Sequence, residues 1–539
     1  MNRVVKSSAK SSLNIRSSSV FSRILRRGVS TQDLDATKGG TYRERVVILG
    51  SGWSGFVLSR QLDKKRFQPV VVSPRSYFAF TPLLASTAVG TLEFRTTLES
   101  VRARRSGVEF FQGWADDVNF NEKKLIIEEA AWRPSIPSES NVVSAEDGTS
   151  LTFKKKKGQL FDLTYDKLVV AVGCYSQTFG TPGVRENAFF LKDVTDAIKI
   201  RKRILECFET AALPTTSPKL RDSILNFAVV GGGPTGIEFA AELFDLCKED
   251  LRKVYPALIP HVQITIYDVA PKILPMFDSK LADYALNLFR RDGIKIKTEH
   301  QIESLQRGLA DSPANDGGCF TLKTKQAGDV GVGMCVWSTG LMMNPFIQRA
   351  LDDVHTYPAS SAALSGPPSE DPTSKKWSLK RSPRNGGLMV DDHFHVKLVL
   401  RNGNGTAEPS LPTDTPKATP EAVMHDVFAL GDVSVLEVGQ LPATAQVASQ
   451  EAKWLGKHLN RGGRPDAPGF KYTDLGVMTY VGNMKAIMQG KGGTEIKGRT
   501  AWLIWRGAYL TKSMSWRNKL LIPMYWAINW CFGRDISRF

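Results

Sequence analysis

Two glycine-rich turns about 180 residues apart have the spacing to hold a pyrophosphate. The first is Gly50-Ser51-Gly52-Trp53-Ser54-Gly55 and the second Gly231-Gly232-Gly233-Pro234-Thr235-Gly236. Each follows a short apolar stretch, Val46 to Leu49 and Phe227 to Val230, and each opens a helical pattern. In such a G-x-G-x-x-G turn the first glycine permits the tight bend and the second lets the backbone approach a pyrophosphate. The third lets helix pack on strand, with the helix N-terminus facing the phosphates. One such turn also occurs without any ligand. Two, both in strand–turn–helix context, point to two bound dinucleotides and to electron transfer between them.

What closes the next strand identifies each nucleotide. A carboxylate there hydrogen-bonds the adenosine ribose and repels a 2′-phosphate. In the second unit Asp268 closes Val262 to Tyr267, after a long helix and Tyr255-Pro256 that stretch the spacing, so NADH is favoured over NADPH. In the first unit Pro69 to Val72 runs into Ser73-Pro74-Arg75, with no carboxylate. A late strand, Val427 to Leu430, ends in Gly431-Asp432, as when a chain returns to its first nucleotide unit. Asp432 is then placed to accept hydrogen bonds from the ribitol chain of FAD, with the Gly431 backbone close to the pyrophosphate. Leu168 to Gly173 and Cys335 to Gly340 are partial repeats, strands ending at glycine about one domain length after each turn.

These features require an α/β architecture of two Rossmann-like dinucleotide-binding domains, and 539 residues are ample for it. The expected division is a leader at 1–40, an FAD-binding domain at 41–221 and an NADH-binding domain at 222–345. A polar insertion at 346–385, an FAD-domain return at 386–470 and C-terminal amphipathic membrane-anchoring helices at 471–539 follow. Residues 128–160 and 352–385, rich in polar residues and proline, read as dispensable loops. Six scattered cysteines include no C-x-x-C pair, which argues against a disulfide reductase and a disulfide framework. No EF-hand loop occurs, so neither calcium regulation nor any metal is expected. The net charge of +17 accompanies no recognisable nucleic-acid module.

The charge is concentrated at the two ends. Residues 1–32 contain seven Arg and Lys, abundant serine and no acid before Asp33, the composition of a mitochondrial transit peptide. No spanning stretch follows it before Tyr42, which favours the matrix side over the intermembrane-space side. Five of the 11 tryptophans, Trp502, Trp505, Trp516, Trp526 and Trp530, fall in the last 38 residues. Gly490 to Phe539 carries nine Lys and Arg against two acids. Apolar runs this short cannot cross a bilayer, whereas indoles beside cations suit helices lying in an anionic lipid surface.

Together with Ser73-Pro74-Arg75-Ser76-Tyr77-Phe78-Ala79-Phe80-Thr81-Pro82-Leu83-Leu84 and Ala445-Gln446-Val447-Ala448-Ser449-Gln450-Glu451-Ala452, these motifs resemble the mitochondrial type II, non-proton-pumping NADH:ubiquinone oxidoreductases. The ending from Trp516 to Asp535 is similar to the fungal members. The resemblance implies non-covalent FAD on Gly50, Gly52, Gly55, Ser73, Gly431 and Asp432, and NADH on Gly231, Gly233, Gly236 and Asp268. In this family serine in place of the first acid is usual. The resemblance gives Gln446 and Gln450, on one helix face, to the quinone and makes Glu238 an acid coupling the two substrate sites. It further implies as partners ubiquinone, the anionic inner-membrane surface and a second copy of the chain. A sulfide:quinone oxidoreductase shares this plan but needs cysteines around the flavin, and Cys174 and Cys335 fit only loosely. A flavoprotein whose redox state controls partner binding is the reading from another class.

Overall fold

The computed structural model describes residues 42–103, 106–130, 158–309, 317–350, 357–364, 376–400 and 420–537. The basic leader and the run Lys154 to Lys157 lie outside the described residues.

The first unit begins with β1 (Glu44–Leu49), the turn, α1 (Trp53–Gln61) and β2 (Phe67–Ser73). β1 lies between β2 and β3 (Lys167–Val170), both parallel to it. Its unbroken apolar run is what a parallel strand covered on both faces requires, and Val46 to Ile48 are fully buried. The second unit repeats the plan. β4 (Asn226–Val230) leads through the second turn into α2 (Pro234–Leu246). It pairs in parallel with β5 (Gln263–Tyr267) and β6 (Met334–Trp337). The partial repeats of the sequence are thus β3 and β6, each the neighbour of its glycine-turn strand.

The second unit begins earlier than residue 222. Phe189–Phe190 adds to the edge of its parallel sheet beside β6. The helix Val194–Ala212 gives Ile200, Ile204 and Phe208 to its core.

The chain re-enters the first sheet through β7 (Glu421–Ala429), parallel to β3, and then forms α3 (Ala445–Asn460) against α1. The stretch expected as a dispensable polar insertion is partly built into this sheet. Ala362–Leu364 pairs with β7, and Trp377–Leu379 pairs with the His395–Leu400 strand. Trp377 is among the largest fully buried side chains. Long-range strand pairing and one buried indole therefore outweigh the polar composition around them. The first expected loop narrows too, since Lys124–Glu129 and Leu160–Thr164 pair as strands.

After α3, β8 (Val477–Tyr480), β9 (Ala486–Gln489) and β10 (Glu495–Gly498) form an antiparallel sheet, followed by α4 (Arg499–Lys512) and α5 (Trp516–Phe532). No helix among the described residues is long and apolar enough to cross a membrane. The five tryptophans divide. Trp505 is in the core, whereas Trp516 and Trp530 on α5 are 80% and 87% exposed. Leu520 and Phe532 are exposed beside them, and Asn518 and Ile522 face inward. α5 is tied to the body by polar contacts: Asn518 donates to Leu98 O and Glu99, and Asn529 donates to Gly90 O and Thr91 O.

Candidate functional site

The two glycine turns have the same geometry. Gly50 and Gly231 have φ of +110° and +116°, and each donates its N–H over 2.8 Å to the neighbouring strand, to Val72 O and Tyr267 O respectively. A Cβ on Gly50 would lie 2.3 Å from Ala171 O, just past β3, and one on Gly231 3.0 Å from Ser338, just past β6. At Gly55 and Gly236 a Cβ would meet the carbonyl of the first glycine at 2.1 and 2.0 Å, so these positions let helix pack on strand. At Gly52 and Gly233 nothing lies within 4 Å. The second glycine of each turn thus exposes bare backbone at a helix N-terminus, a cradle that suits a pyrophosphate.

The strand ends differ. Asp268 accepts from the backbone N–H of Gly232 through Oδ2 and from that of Ala270, at 2.7 Å, through Oδ1. Its carboxylate therefore sits against the second turn. Ser73 is buried, its Oγ 2.9 Å from Ser51 Oγ and accepting from Arg75 N at 3.3 Å. Its hydroxyl ties the first turn to the loop after β2.

Gly431 and Asp432 line a cavity with Asn385, Gln440, Thr444 and Val447 at the start of α3. The carboxylate of Asp432 accepts from the Cys174 thiol at 2.8 Å, and Lys192 donates to both the carbonyl and the sulfur of Cys174 at 3.1 Å. Burial pushes the Cys174 thiol up to about 11, so it stays protonated. The N–H of Gly431 donates to Glu451 at 2.6 Å. Burial, reinforced by Asp432, pushes Glu451 up to about 8. Bare backbone at Gly52, a carboxylate at Asp432 and the positive end of α3 fit the pyrophosphate, ribitol and ring of a flavin dinucleotide.

Gln446 and Gln450 share one face of α3, turned toward residues 472–474. Gln446 donates to Tyr472 OH and, at 3.4 Å, to Asp474. Gln450 donates to Thr473 O at 2.8 Å and accepts from Thr473 N at 3.1 Å.

Glu238 is buried on the first turns of α2, and its Oε1 accepts from Tyr480 N at 3.1 Å and Trp505 Nε1 at 3.2 Å. Burial is the main cause that lifts it to about 7, with Glu242 adding to the rise and these donors opposing it. Asp245, further along α2, accepts from Tyr480 OH and is likewise pushed up to about 7 by burial.

Sequence reasoning missed Lys192, Glu451, Glu242 and Asp245. The last two follow Glu238 at spacings of 4 and 7, the same helix face, and are readable in that pattern. Nothing local marks Lys192. Cys174 and Cys335 do not come together: the first lies at Asp432, the second is wholly buried in β6, and all six cysteines are free.

Residues 44–354 match the pyridine nucleotide-disulphide oxidoreductase family model, and residues 475–535 match the NDH2 C-terminal domain. A probable NADH dehydrogenase of Dictyostelium discoideum is 35% identical, over 92% of this chain and 91% of its own length. The mitochondrial external alternative NAD(P)H-ubiquinone oxidoreductase B1 of Solanum tuberosum is 32% identical, over 92% and 90%. Among solved structures, NDH2 from Plasmodium falciparum in complex with NADH superposes with a TM-score of 0.71 at 22% identity, covering 92% of this chain and all of that one.

Proposed function

Because the chain belongs to the type II NADH:ubiquinone oxidoreductases, we propose that its two equivalent glycine turns divide the cofactor from the substrate. The enzyme is a flavoprotein that oxidises NADH and reduces ubiquinone without pumping protons. The observation that carries the division is the pairing of one open turn with a carboxylate at Asp268 and of the other with Asp432.

FAD bound at the first turn supplies hydride acceptance from NADH and two-electron delivery to ubiquinone. The chain supplies placement and electrostatics. Gly50, Gly52 and Gly55 give the pyrophosphate its cradle and Asp432 accepts from the ribitol hydroxyls, while Ser73 shapes the loop beside them. Gly231, Gly233, Gly236 and Asp268 hold NADH, with Asp268 on the ribose. The N-terminus of α3, capped by Thr444, presents a partial positive charge where negative charge develops. Gln446 and Gln450 orient the quinone, their amides exchanging the 472–474 segment for the quinone carbonyls. Glu238 holds a proton for the quinol.

The exposed face of α5 supports peripheral attachment to an anionic lipid surface, and a second copy of the chain completes the assembly. Relatives named as mitochondrial accord with a mitochondrial enzyme. We place its body on the matrix face, whereas the potato relative is named external. Turnover of NADH with a short-tailed quinone, measured beside sulfide oxidation, tests the activity. Sulfide-dependent quinone reduction without NADH turnover would overturn it. Protease protection in intact mitochondria tests the face, and digestion after rupture of the outer membrane alone places the body outside.

A further inference from the structure

α2 and the turn after it carry five carboxylates along one face: Glu238, Glu242, Asp245, Glu249 and Asp250. All but Glu249 are buried. The cations that the C-terminal segment brings to this row are Arg534 and Arg506. Arg534 pairs with Glu249 at 2.8 Å and Asp250 at 2.7 Å. Arg506 is clamped between the indoles of Trp502 and Trp526, its Cζ 4.2 and 4.4 Å from the ring centroids. Lys248, on the same turn, lies over the Phe244 ring. The phenols of Tyr480 and Tyr509, packed against the row, are raised well above their ordinary range by burial and stay neutral. Three buried acids in succession, Glu238, Glu242 and Asp245, therefore face fewer cations than full ionisation requires.

Each of the three is held by its own donors, Asp245 by the Tyr480 hydroxyl and by Asn483 N at 3.1 and 3.2 Å. Glu242 accepts a hydroxyl on each oxygen, from Ser86 at 2.6 Å and from Thr91 at 2.8 Å. Thr91 Oγ1 in turn accepts from Arg534 Nε at 2.9 Å, so the guanidinium charge reaches Glu242 through one hydroxyl. Glu238 accepts from Tyr480 N and Trp505 Nε1 on Oε1, and the Thr479 side chain hydrogen-bonds to it as well.

We propose that Glu242, hydrogen-bonded by Ser86 and Thr91 and reached by Arg534 through Thr91, is a positioning residue that keeps a proton on Glu238 one helical turn away. Burial and the charge of Glu242 together account for the upward displacement of Glu238. The proton balance gives this a use. NADH, one proton from solution and the quinone yield NAD and the quinol, so one proton must enter from outside the substrates. A neutral Glu238 gives that proton, becomes a second anion beside Glu242, and is driven to take one back from solvent. This rests on the reading of Glu238 as the proton-holding acid of the site.

The test uses full-length, FAD-loaded enzyme carrying Glu242→Gln. The carboxyl C=O infrared band of Glu238, identified by its loss in Glu238→Gln, is titrated with pH. Its midpoint is expected to fall by about one unit or more, because the neighbouring negative charge is gone. The alkaline decline of kcat for a short-tailed quinone is expected to move down with it. At mildly alkaline pH kcat then drops by about tenfold relative to the wild type. An unmoved midpoint overturns the proposal. A lowered midpoint with an unmoved kcat profile upholds the influence of Glu242 and refutes Glu238 as the proton source. If Glu242→Gln does not retain FAD, Thr91→Val takes its place. It removes one donor from Glu242 together with its link to Arg534, so the hold of Glu242 on the Glu238 proton weakens and the Glu238 midpoint is expected to fall; no shift there overturns the proposal.

Discussion

Trp505 donates its indole N–H to Glu238 across 3.2 Å, joining the C-terminal helices to the helix that begins at the second glycine turn. The bond favours the carboxylate form, while burial, the larger cause, holds Glu238 up to about 7. In Trp505→Phe the ring still fills the core but the donor is lost, so the proton affinity of Glu238 rises further. The alkaline decline of quinone reduction is expected to move upward by roughly half a unit to one unit. A pH series of kcat in the variant checks this, and a downward shift would contradict the bond's assigned effect.

The glycines separate a binding defect from a folding defect. Gly233→Ala puts a methyl into open space, so the protein should keep its FAD and melting temperature while KM for NADH rises about tenfold or more through obstruction of the pyrophosphate. Gly236→Ala drives the same methyl to 2.0 Å from Gly231 O and should cost roughly 2 kcal/mol or more of stability. Calorimetry alongside NADH kinetics distinguishes them. Equal loss of stability in both variants would show that Gly233 is needed for packing.

Asp268→Asn removes the charge that repels a 2′-phosphate and leaves an oxygen for Gly232. The ratio of NADPH to NADH turnover is expected to rise by about tenfold, with NADH turnover itself falling, since one like-charge contact at a protein surface costs about 1 to 4 kcal/mol. An unchanged ratio assigns cofactor choice to another residue.

Membrane attachment is tested on the exposed residues alone, because removing α4 would also remove Trp505 from the core. Trp516→Ser, Leu520→Ser, Trp530→Ser and Phe532→Ser together change a solvent-facing surface. The combined variant should stay folded and FAD-loaded and reduce ferricyanide with NADH. It should leave anionic vesicles and lose most of its activity with long-tailed quinone. Flotation with vesicles that persists in this variant would move the anchor elsewhere.

The glycine turns, Asp268 and Gly431-Asp432 were legible because each is a local pattern, apolar strand into glycine or into acid. The strands at Ala362–Leu364 and Trp377–Leu379 were not, since their partners lie far along the chain and nothing periodic surrounds them. Trp505 shows the limit of composition. Among basic residues and other indoles it reads as membrane-facing, and only the packing of α4 on the body makes it a core side chain. Lys192 meets Cys174 where two segments converge beside Asp432, a contact that neither segment announces.

The difference between Ser73 and Asp268 bears on how long each nucleotide stays. A carboxylate has about four acceptor positions. Asp268 spends two of them on the backbone N–H groups of Gly232 and Ala270. It can greet a ribose without first surrendering a bond, so arrival and departure need little rearrangement. The Ser73 hydroxyl is already engaged with Ser51 and Arg75 within a buried loop, and letting go there means loosening the loop itself. On the proposed division of the two turns, open acceptors suit a visiting reductant and a tied loop suits a resident cofactor.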